Sequence, residues 1–362
     1  MLATQFQVRR NDFLQHRLVT VPSQALQSGD LRVRIEAFSY TANNITYALM
    51  GERMRYWQFF APVGEEAEAW GLIPVWGFAE VTESNGTDLA VGERLFCYFP
   101  PATDYVMRPT QISGRQFMEG SAQRADLPAS YNVYRRLTGE KDYNPAFDRE
   151  RMLFYPLHIT SYFIWDQIKE NDWYGAEQLV LLSASSKTST GLAYALTQDA
   201  SAPRTIGLTS GRNLEKVQTI GWYDEVLSYE QLDQIDPKRP TAIVDFSGQR
   251  AKLAKLYTHL GEQFRYLIRV GLTHWAGTAD TDDIPTDRQE VFFAPAQIQK
   301  RIKAWGYADY EQRTSTFLAA SAQASKQWMQ LEDLAGLEAL AAIHQKVAKG
   351  KVAPERGLIV RV

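Results

Sequence analysis

The amino-acid sequence predicts an α/β protein with two domains, one rich in β-strands and one built on an open, doubly wound parallel sheet. At 362 residues the chain exceeds the usual size of a single hydrophobic core. Between residues 177 and 294, short apolar runs alternate with helical segments, which is the pattern of a parallel sheet covered by helices on both faces. The N-terminal part instead alternates apolar and polar residues with a period of two, as half-exposed strands do.

The N-terminal part predicts a small, barrel-like β domain. Strands are expected at Phe6–Arg10, Leu31–Phe38, Ala79–Glu83 and Arg94–Phe99. A polar turn and a short helix fit the segment between Ser39 and Gly51. Residues 100–150 mix prolines, tyrosines and charged residues without a clear period, so we expect long loops that cover a cleft.

The stretch from Glu177 to Asn213 predicts a βαβ unit. An apolar run at Leu179–Leu182 is followed by a small-residue loop, a segment with helical spacing and a second apolar run at Thr205–Leu208. Units of this order bind dinucleotides, with the diphosphate at the N-terminus of the helix.

The glycine motif of such units is degraded. The loop has Ser185 and Thr188 in place of the first glycines of G-x-G-x-x-G, with a slightly different spacing, and only Gly191 remains, at the position that lets helix and strand pack closely. Parallel-sheet proteins without a nucleotide also contain a strand, a serine-rich turn and a helix, so the loop alone does not decide between the two interpretations. Lys187 lies within this loop and offers a cation.

The residues after the second strand favour a phosphorylated nucleotide. An acidic residue, expected there for a ribose 2′-hydroxyl, is absent, and Ser210, Arg212 and Asn213 stand in its place. A hydroxyl, a guanidinium and an amide suit a 2′-phosphate, which an acid would repel. The cofactor predicted is therefore NADP(H). The alternative is that Arg212 is an ordinary exposed residue in the first turn of the next helix.

The remaining segments predict further strands of the parallel sheet, several helices and a final strand outside that sheet. A helix is expected at Pro156–Asn171, ahead of the first sheet strand, and the chain is expected to be helical from Pro295 to Gly350, with breaks near Gly306 and at residues 334–336. Further strands are predicted at Glu225–Tyr229, Thr241–Phe246, Phe264–Val270 and Gln289–Ala294. The final strand, Gly357–Val362, has no sequential partner, so we expect it to return to the N-terminal domain.

Composition excludes several classes of function. A formal net charge of -3 provides no field for a polyanion, so nucleic acid is not expected as a partner. The single cysteine, Cys97, excludes an intramolecular disulfide and agrees with a reducing compartment. No run of about eighteen apolar residues could span a bilayer. We expect a cytoplasmic protein with no membrane partner.

The order of these parts resembles the medium-chain dehydrogenase/reductase superfamily. The resemblance is carried by the VGERLF turn, the nucleotide unit and the terminal EALAAIHQKVAKGKVAPERGLIVRV segment, and it covers essentially the whole chain. It is closest to the zinc-free quinone and enoyl reductases, and closer still to an uncharacterised branch known as a domain of unknown function, in which the MRYW and PVWGFAEV segments look typical. The resemblance implies a GroES-like catalytic domain at residues 1–150, completed by residues 335–362, and a Rossmann domain at residues 151–334.

The chain departs from the zinc alcohol dehydrogenases of this superfamily. Where those carry a cysteine and a Gly-His-Glu motif, this sequence reads TANNITYALMG and VWGFAEV, without a thiolate, imidazole or carboxylate at the ligand positions. A catalytic zinc needs about three convergent protein ligands, and no metal is expected. Hydride transfer to a quinone or an α,β-unsaturated carbonyl makes fewer demands, since the acceptor oxygen needs only a hydrogen-bond donor or a proton.

Candidate site residues follow from the resemblance. Tyr56 and Tyr47 are rival proton donors, and Asn44 is expected to line the site; each could instead be a packed aromatic residue or a turn-forming asparagine. His274 follows a strand end and could face the nicotinamide or simply be solvated. The residues implied to contact the cofactor are Ser185, Lys187, Thr188, Ser189 and Thr190 around the diphosphate, Ser210, Arg212 and Asn213 at the 2′-phosphate, Ser247 and Gly248 at the adenosine ribose, Gly271 to Thr273 at the nicotinamide amide, and Phe293 at the ring.

The sequence therefore predicts a zinc-independent, NADP(H)-dependent reductase of quinones or α,β-unsaturated carbonyls. The alternative is a degenerate member that binds NADP(H) as a sensor or scaffold without turnover, which the eroded glycine motif supports. A weaker possibility is reduction of an enoyl thioester, for which no basic patch to seat a coenzyme A diphosphate is visible. Members of the superfamily often pair through the sixth strand of the sheet, so we expect a homodimer through the EVFFAP segment.

Overall fold

The computed structural model describes residues 1–270 and 284–362. This part of the chain forms two compact units. The first, called here the β-rich unit, comprises Met1–Tyr155 together with Met329–Val362, and the second, the parallel-sheet unit, comprises Pro156–Trp328.

The N-terminal section of the β-rich unit is a set of antiparallel strands with one short helix. Its elements are β1 (Leu2–Arg9), β2 (Asp12–Pro22), β3 (Leu31–Tyr40), α1 (Ala42–Leu49), β4 (Trp70–Gly71), β5 (Val75–Ser84), β6 (Arg94–Phe99), β7 (Asp104–Met107), β8 (Pro109–Thr110), β9 (Gln116–Glu119) and β10 (Val133–Arg136). Strands β2, β1 and β4 form one sheet, and β3, β5, β6, β10, β9 and β8 follow one another in a second, with β7 paired to β3. The four strands and the helix predicted before residue 100 are confirmed.

The segment from 100 to 150 differs from its prediction. It was expected to be long loops, but it contains β7 to β10 and several short 3₁₀ turns. None of these strands exceeds four residues, so none is long enough to show an alternating pattern in the sequence. Strands β8, β9 and β10 pair with one another, whereas β7 pairs with β3 and β10 also pairs with β6. Such pairing decides short strands more than local preference does.

The described residues of the parallel-sheet unit form a sheet of six strands, all parallel, in the order β13-β12-β11-β14-β15-β16. Its elements, with the helix that leads into it, are α2 (Asp148–Glu170), β11 (Gln178–Leu182), α3 (Lys187–Thr197), β12 (Arg204–Thr209), α4 (Leu214–Ile220), β13 (Glu225–Ser228), β14 (Thr241–Asp245), α5 (Arg250–Leu260), β15 (Phe264–Arg269), β16 (Gln289–Val291), α6 (Ala294–Trp305) and α7 (Tyr307–Ser325). Alternate residues of β11 enter two different hydrophobic cores, Leu179 and Leu181 one and Val180 and Leu182 the other. Both faces of the central strand are therefore buried, as its continuous apolar run predicted.

Two boundaries in this unit were wrong. Helix α2 begins at Asp148, so Pro156 lies inside the helix and does not start it. The prediction rested on apolar residues at helical spacing from Pro156 onward, and such a pattern does not fix the residue at which a helix begins. The sixth strand ends at Val291, and Phe293 is the N-cap residue of α6.

The last section of the chain returns to the β-rich unit as β17 (Gln330–Ala335), α8 (Gly336–Ala348) and β18 (Arg356–Arg361). Strand β18 pairs antiparallel with β3, which confirms the predicted return. Strand β17 was expected to be helical; it pairs parallel with β18. Its sequence, QLEDLA, consists mostly of good helix formers, so a partner distant in sequence overrides the local preference. No described helix is long and apolar enough to cross a membrane.

Candidate functional site

The strand order places the ends of β11, β12 and β14 at the centre of the parallel sheet. Helical connections leave β11 and β14 on opposite sides of this point, and in open α/β sheets ligands bind outside the carboxyl ends of the strands there. The candidate nucleotide site therefore consists of three segments: the loop after β11, the turn after β12 and the turn after β14.

One non-glycine residue of the loop after β11 has a left-handed backbone conformation. Ser183 has φ +60°, a conformation that glycine adopts readily and that other L-residues adopt at a cost of about 1–2 kcal/mol. The backbone N–H of Ser183 donates to the hydroxyl of Tyr229, at 2.9 Å. Ser186 then caps α3, accepting from the backbone N–H of Ser189 at 3.2 Å. The loop thus holds a left-handed residue that is a serine and not a glycine.

Side chains from later in the chain hold this loop. The amide of Asn213 donates to Ser185 Oγ at 3.1 Å, and the hydroxyl of Tyr223 donates to the carbonyl of Ala184 at 2.8 Å. Because Ser185 Oγ accepts a hydrogen bond from Asn213, its own O–H remains available to donate to another group. Asn213 and Ser185, which the sequence assigned to neighbouring parts of the cofactor, are therefore in direct contact.

Gly191 packs α3 against α2. A Cβ on this residue would fall 2.6 Å from Cδ2 of His158 and 2.7 Å from Oγ of Ser161. Gly191 therefore allows α3 to pack closely against helix α2. The sequence predicted close packing of a helix against a strand, and this expectation was wrong. His158 is fully buried, with Nδ1 2.9 Å from Ser321 Oγ, and burial lowers its pKa to about 3.

The residues predicted to surround the diphosphate divide into two groups. Ser185, Lys187 and Thr188 are partly exposed, whereas Ser189 and Thr190 are fully buried. The hydroxyl of Ser189 lies 3.0 Å from that of Tyr223, and the hydroxyl of Thr190 donates to the carbonyl of Lys187 at 2.9 Å. The hydroxyls of the buried pair are thus directed into the protein, where they hold the first turn of α3.

The turn after β12 combines an unsatisfied hydroxyl with an exposed cation. Ser210 Oγ is buried and has no hydrogen-bond partner among the described residues. Arg212, two residues on, is exposed and forms no ion pair with any residue in the described ranges. A buried hydroxyl without a partner is unfavourable unless a ligand or a water satisfies it. A phosphate oxygen would satisfy it and would pair with the guanidinium, so this turn is a candidate phosphate site.

Two residues near this turn were missed by the sequence analysis. Tyr229 follows β13 directly, and Lys252 Nζ lies 3.4 Å from the centroid of its ring. Partial burial lowers the pKa of Lys252. The sequence held a weak signal for Tyr229, which stands at a strand end; nothing local pointed to a lysine on α5.

The turn after β14 is closed by its own aspartate. Asp245 is buried and its Oδ1 accepts from the backbone N–H and the hydroxyl of Ser247, at 2.8 and 2.7 Å, and from the N–H of Gly248. Ser247 and Gly248 thus form a fixed turn at the predicted ribose position. Phe293 is partly buried at the start of α6. Gly271, Thr273 and His274 lie outside the described residues.

In the β-rich unit, both tyrosines proposed as proton donors belong to one cluster of four, Tyr47, Tyr56, Tyr98 and Tyr131, called here the tyrosine cluster. Ring centroids are 4.7 Å apart for Tyr47 and Tyr56, 4.7 Å for Tyr98 and Tyr131, and 5.6 Å for Tyr47 and Tyr98. The hydroxyls of Tyr56 and Tyr131 lie 3.3 Å apart. The indole N–H of Trp76 donates to the Tyr47 hydroxyl at 3.3 Å. Tyr98 has a buried hydroxyl without a hydrogen-bond partner of good geometry among the described residues.

The chemistry of the tyrosine cluster is that of neutral phenols. Burial is the largest cause of a raised pKa at all four tyrosines, and repulsion between neighbouring phenolates adds to it at Tyr47, Tyr98 and Tyr131. At neutral pH such groups donate hydrogen bonds or protons and do not act as bases. Sequence reasoning found Tyr47 and Tyr56 but missed Tyr98 and Tyr131, because nothing in the sequence shows that β6 and the segment before β10 pack against the rings near α1.

Asn44 is committed to the fold at both ends of its side chain. It is buried, its Oδ1 accepts from the N–H of Thr41 in a capping box at the start of α1, and its Nδ2 donates to the carbonyl of Pro74 at 2.9 Å. These bonds fix α1 against the segment before β5. Within the described ranges, no group of three or more His, Cys, Asp or Glu residues could hold a metal ion.

Comparison with solved structures shows which proteins share this fold. The β-rich and parallel-sheet units match, over their full length, solved structures of medium-chain dehydrogenases/reductases with a GroES-like part and a Rossmann part. CurA from Vibrio vulnificus has 14% sequence identity and a TM-score of 0.65, covering 99% of this chain and 98% of its own. CurA in complex with NADPH, also from Vibrio vulnificus, has 14% sequence identity and a TM-score of 0.60, covering 95% of this chain and 94% of its own. The quinone oxidoreductase from Coxiella burnetii has 13% sequence identity and a TM-score of 0.55, covering 100% of both chains.

Residues 38–353 match the model of the family described as "Protein of unknown function (DUF2855)", and the chain belongs to that family. None of the curated proteins matches its sequence. The superfamily resemblance drawn from the sequence is therefore confirmed at the level of fold.

Proposed function

We propose that this protein is an NADP(H)-dependent reductase whose parallel-sheet unit binds the nucleotide. The observation that carries the proposal is the turn after β12, where the buried hydroxyl of Ser210 lacks a partner beside the exposed Arg212. No acidic side chain stands there to repel a phosphate or to bind a ribose diol. CurA, which shares the fold, has been solved with NADPH, and this supports the choice of nucleotide.

In this proposal the chain's own residues recognise three parts of the nucleotide. Arg212 pairs with the 2′-phosphate through its planar guanidinium, and Ser210 donates its hydroxyl proton to the same group. Ser185 donates to the diphosphate, at the N-terminus of α3, where backbone N–H groups and the helix dipole favour negative charge. The turn of Ser247 and Gly248 borders the ribose. When bound, NADPH supplies a hydride.

The acceptor proposed is a quinone or an α,β-unsaturated carbonyl. Reduction of either leaves negative charge on an oxygen, which a neutral donor must stabilise or protonate. The tyrosine cluster consists of such donors, because burial keeps its hydroxyls protonated at neutral pH. Of Tyr47 and Tyr56, the latter is the better candidate for the proton donor. Its hydroxyl pairs with that of Tyr131, which can donate to it when Tyr56 gives up its proton.

The second candidate function is NADP(H) binding without turnover, as a sensor or scaffold. It is favoured by the burial of Tyr47, Tyr56 and Tyr98, which are each less than 9% exposed and packed ring against ring. In this case the tyrosine cluster is a hydrophobic core. The nucleotide residues would serve both candidates equally, so turnover is what separates them.

We further propose a homodimer through β16. This strand lies at the edge of the parallel sheet, so one row of its backbone groups is available for pairing. Val291 on β16 is 49% exposed, which is unusual for a large aliphatic side chain of a strand. Size-exclusion chromatography with light scattering would test the dimer, and Val291→Lys should shift it to a monomer.

The function is tested by titrating the purified protein with NADPH and then following NADPH absorbance in the presence of quinones and α,β-unsaturated ketones. A reductase shows saturable oxidation with at least one acceptor. Tight binding with no turnover of any acceptor would favour the scaffold, and failure to bind NADPH would contradict both candidates.

A further inference from the structure

Tyr223 occupies an unusual position beneath the loop after β11. It is nine-tenths buried, and its hydroxyl makes two contacts, donating to the carbonyl of Ala184 at 2.8 Å and lying 3.0 Å from Ser189 Oγ. Ala184 lies at the start of the loop, and Ser189 lies in the first turn of α3. One hydroxyl therefore ties the two ends of the loop together.

The strand beneath leaves room for this ring. Gly207 lies in the middle of β12, and a Cβ there would fall 2.9 Å from Cδ1 of Tyr223 and 2.9 Å from the Cβ of Ala184. Any larger residue at 207 would press on both Tyr223 and the loop. The glycine therefore has a structural use that differs from the usual role of glycine in nucleotide loops, because it makes space for a side chain that holds the loop.

The contact has a consequence for anion binding. A loop that receives a diphosphate must point its N–H groups and hydroxyls in fixed directions, and disorder in those groups weakens binding. In a glycine-rich loop the backbone itself approaches the phosphates closely. In this chain that loop is made of serines and must be held in place. Tyr223 holds it from below, and Tyr229 holds Ser183 from the other side.

We infer that Tyr223 is a positioning residue for the nucleotide diphosphate. It contacts neither phosphate nor nicotinamide and acts by fixing residues 184–189 in the shape that receives the diphosphate. This inference rests on the proposed function, since it requires that the loop bind the diphosphate of NADP(H).

The test compares two ligands on Tyr223→Phe by calorimetry. NADPH contains the diphosphate, whereas adenosine 2′-monophosphate carries only the 2′-phosphate that Ser210 and Arg212 are proposed to bind. Loss of the hydroxyl should weaken NADPH binding about tenfold, the effect of one hydrogen bond. Binding of adenosine 2′-monophosphate should be unchanged. Tyr257→Phe is the matched control, because Tyr257 packs its ring on Phe264 from α5 and makes no contact with the loop.

The outcomes are distinct. Equal NADPH affinity in Tyr223→Phe and the unsubstituted protein would overturn the inference, and so would an equal loss for both ligands, which indicates a general loss of structure. If Tyr223→Phe does not fold, as circular dichroism would show, Gly207→Ala makes the same test by displacing the ring, with the same selective loss expected. If the unsubstituted protein binds neither adenosine 2′-monophosphate nor NADPH measurably, the proposed function itself fails.

Discussion

The loop after β11 and the tyrosine cluster are both rich in hydroxyls but use them differently. In the loop, Ser186 accepts from a backbone N–H of α3, while Asn213 and Tyr223 donate to Ser185 and to the carbonyl of Ala184, so these bonds set the shape of the chain. In the tyrosine cluster, the hydroxyls face one another and an indole within a shell of rings. The comparison suggests that the loop is built to hold a ligand in place, whereas the cluster is built to keep phenols protonated. The following predictions test or sharpen this distinction.

The largest effect is expected where the tyrosine cluster is anchored. Arg124 is fully buried beside the equally buried Glu119, and its guanidinium donates to the carbonyl of Tyr131 at 2.8 Å. Arg124→Met leaves an unpaired carboxylate in the interior and should lower the free energy of unfolding by about 3–5 kcal/mol. Denaturant unfolding measures this. Arg34→Met is the control, because Arg34 is 61% exposed in its pair with Glu80 and should change stability by less than about 1 kcal/mol.

Turnover should depend on the Tyr56 hydroxyl. If it protonates the acceptor, Tyr56→Phe should lower kcat about a hundredfold, in the range seen for loss of a general acid. NADPH affinity should not change, because Tyr56 is assigned no part in nucleotide binding. Tyr131→Phe should have a smaller effect and alter the pH profile, because Tyr131 acts through Tyr56. Equal rates for Tyr56→Phe and Tyr257→Phe would show that the cluster is only a core.

Acid should destabilise the protein through His158. Its folded-state pKa of about 3 lies below the ordinary value near 6.5, so between these pH values the unfolded chain binds the extra proton. Stability is therefore full above about pH 6.5 and falls as the pH decreases, by about 2 kcal/mol at pH 5. Burial also lowers the pKa of His344, which adds to the trend in the same direction. His158→Gln should flatten the pH dependence of the unfolding free energy; an unchanged slope would refute the assignment.

Nucleotide selectivity should depend on Arg212. Arg212→Gln removes the charge that pairs with the 2′-phosphate and should weaken NADPH binding about tenfold or more, with NADH affinity unchanged. Arg204→Gln is the matched control, because Arg204 lies at the other end of β12 in an exposed pair with Glu225. If both variants lose NADPH affinity equally, the effect comes from net charge and not from recognition.

The smallest effect is expected at Ser183. Its φ of +60° strains the loop, so Ser183→Gly should raise the free energy of unfolding by about 1 kcal/mol. NADPH affinity should remain close to that of the unsubstituted protein, because the conformation is retained. A loss of stability on this substitution would mean that the serine side chain stabilises the fold by more free energy than its backbone strain costs.

What the sequence could predict differs between the two regions for a physical reason. The strands and the loop of the parallel-sheet unit arise from contiguous residues, so periodicity revealed β11, β12 and β14, and the residues at their ends followed. Tyr98 lies on β6, which the sequence predicted, and Tyr131 lies in the segment before β10, which gave no readable pattern. Only the packing of distant segments brings both rings to Tyr47 and Tyr56. Strand β17 was mistaken for helix for the same reason. Ser183 escaped notice because a serine does not signal the positive φ that a glycine would.

The central claim is that a hydroxyl and a guanidinium after β12 select the phosphorylated nucleotide. The most direct test is calorimetric titration of the unsubstituted protein with NADPH and, under identical conditions, with NADH. The account predicts that NADPH binds at least about ten times more tightly, as one charge-assisted contact to the phosphate requires. Equal affinity for the two nucleotides, or binding of neither, would contradict it.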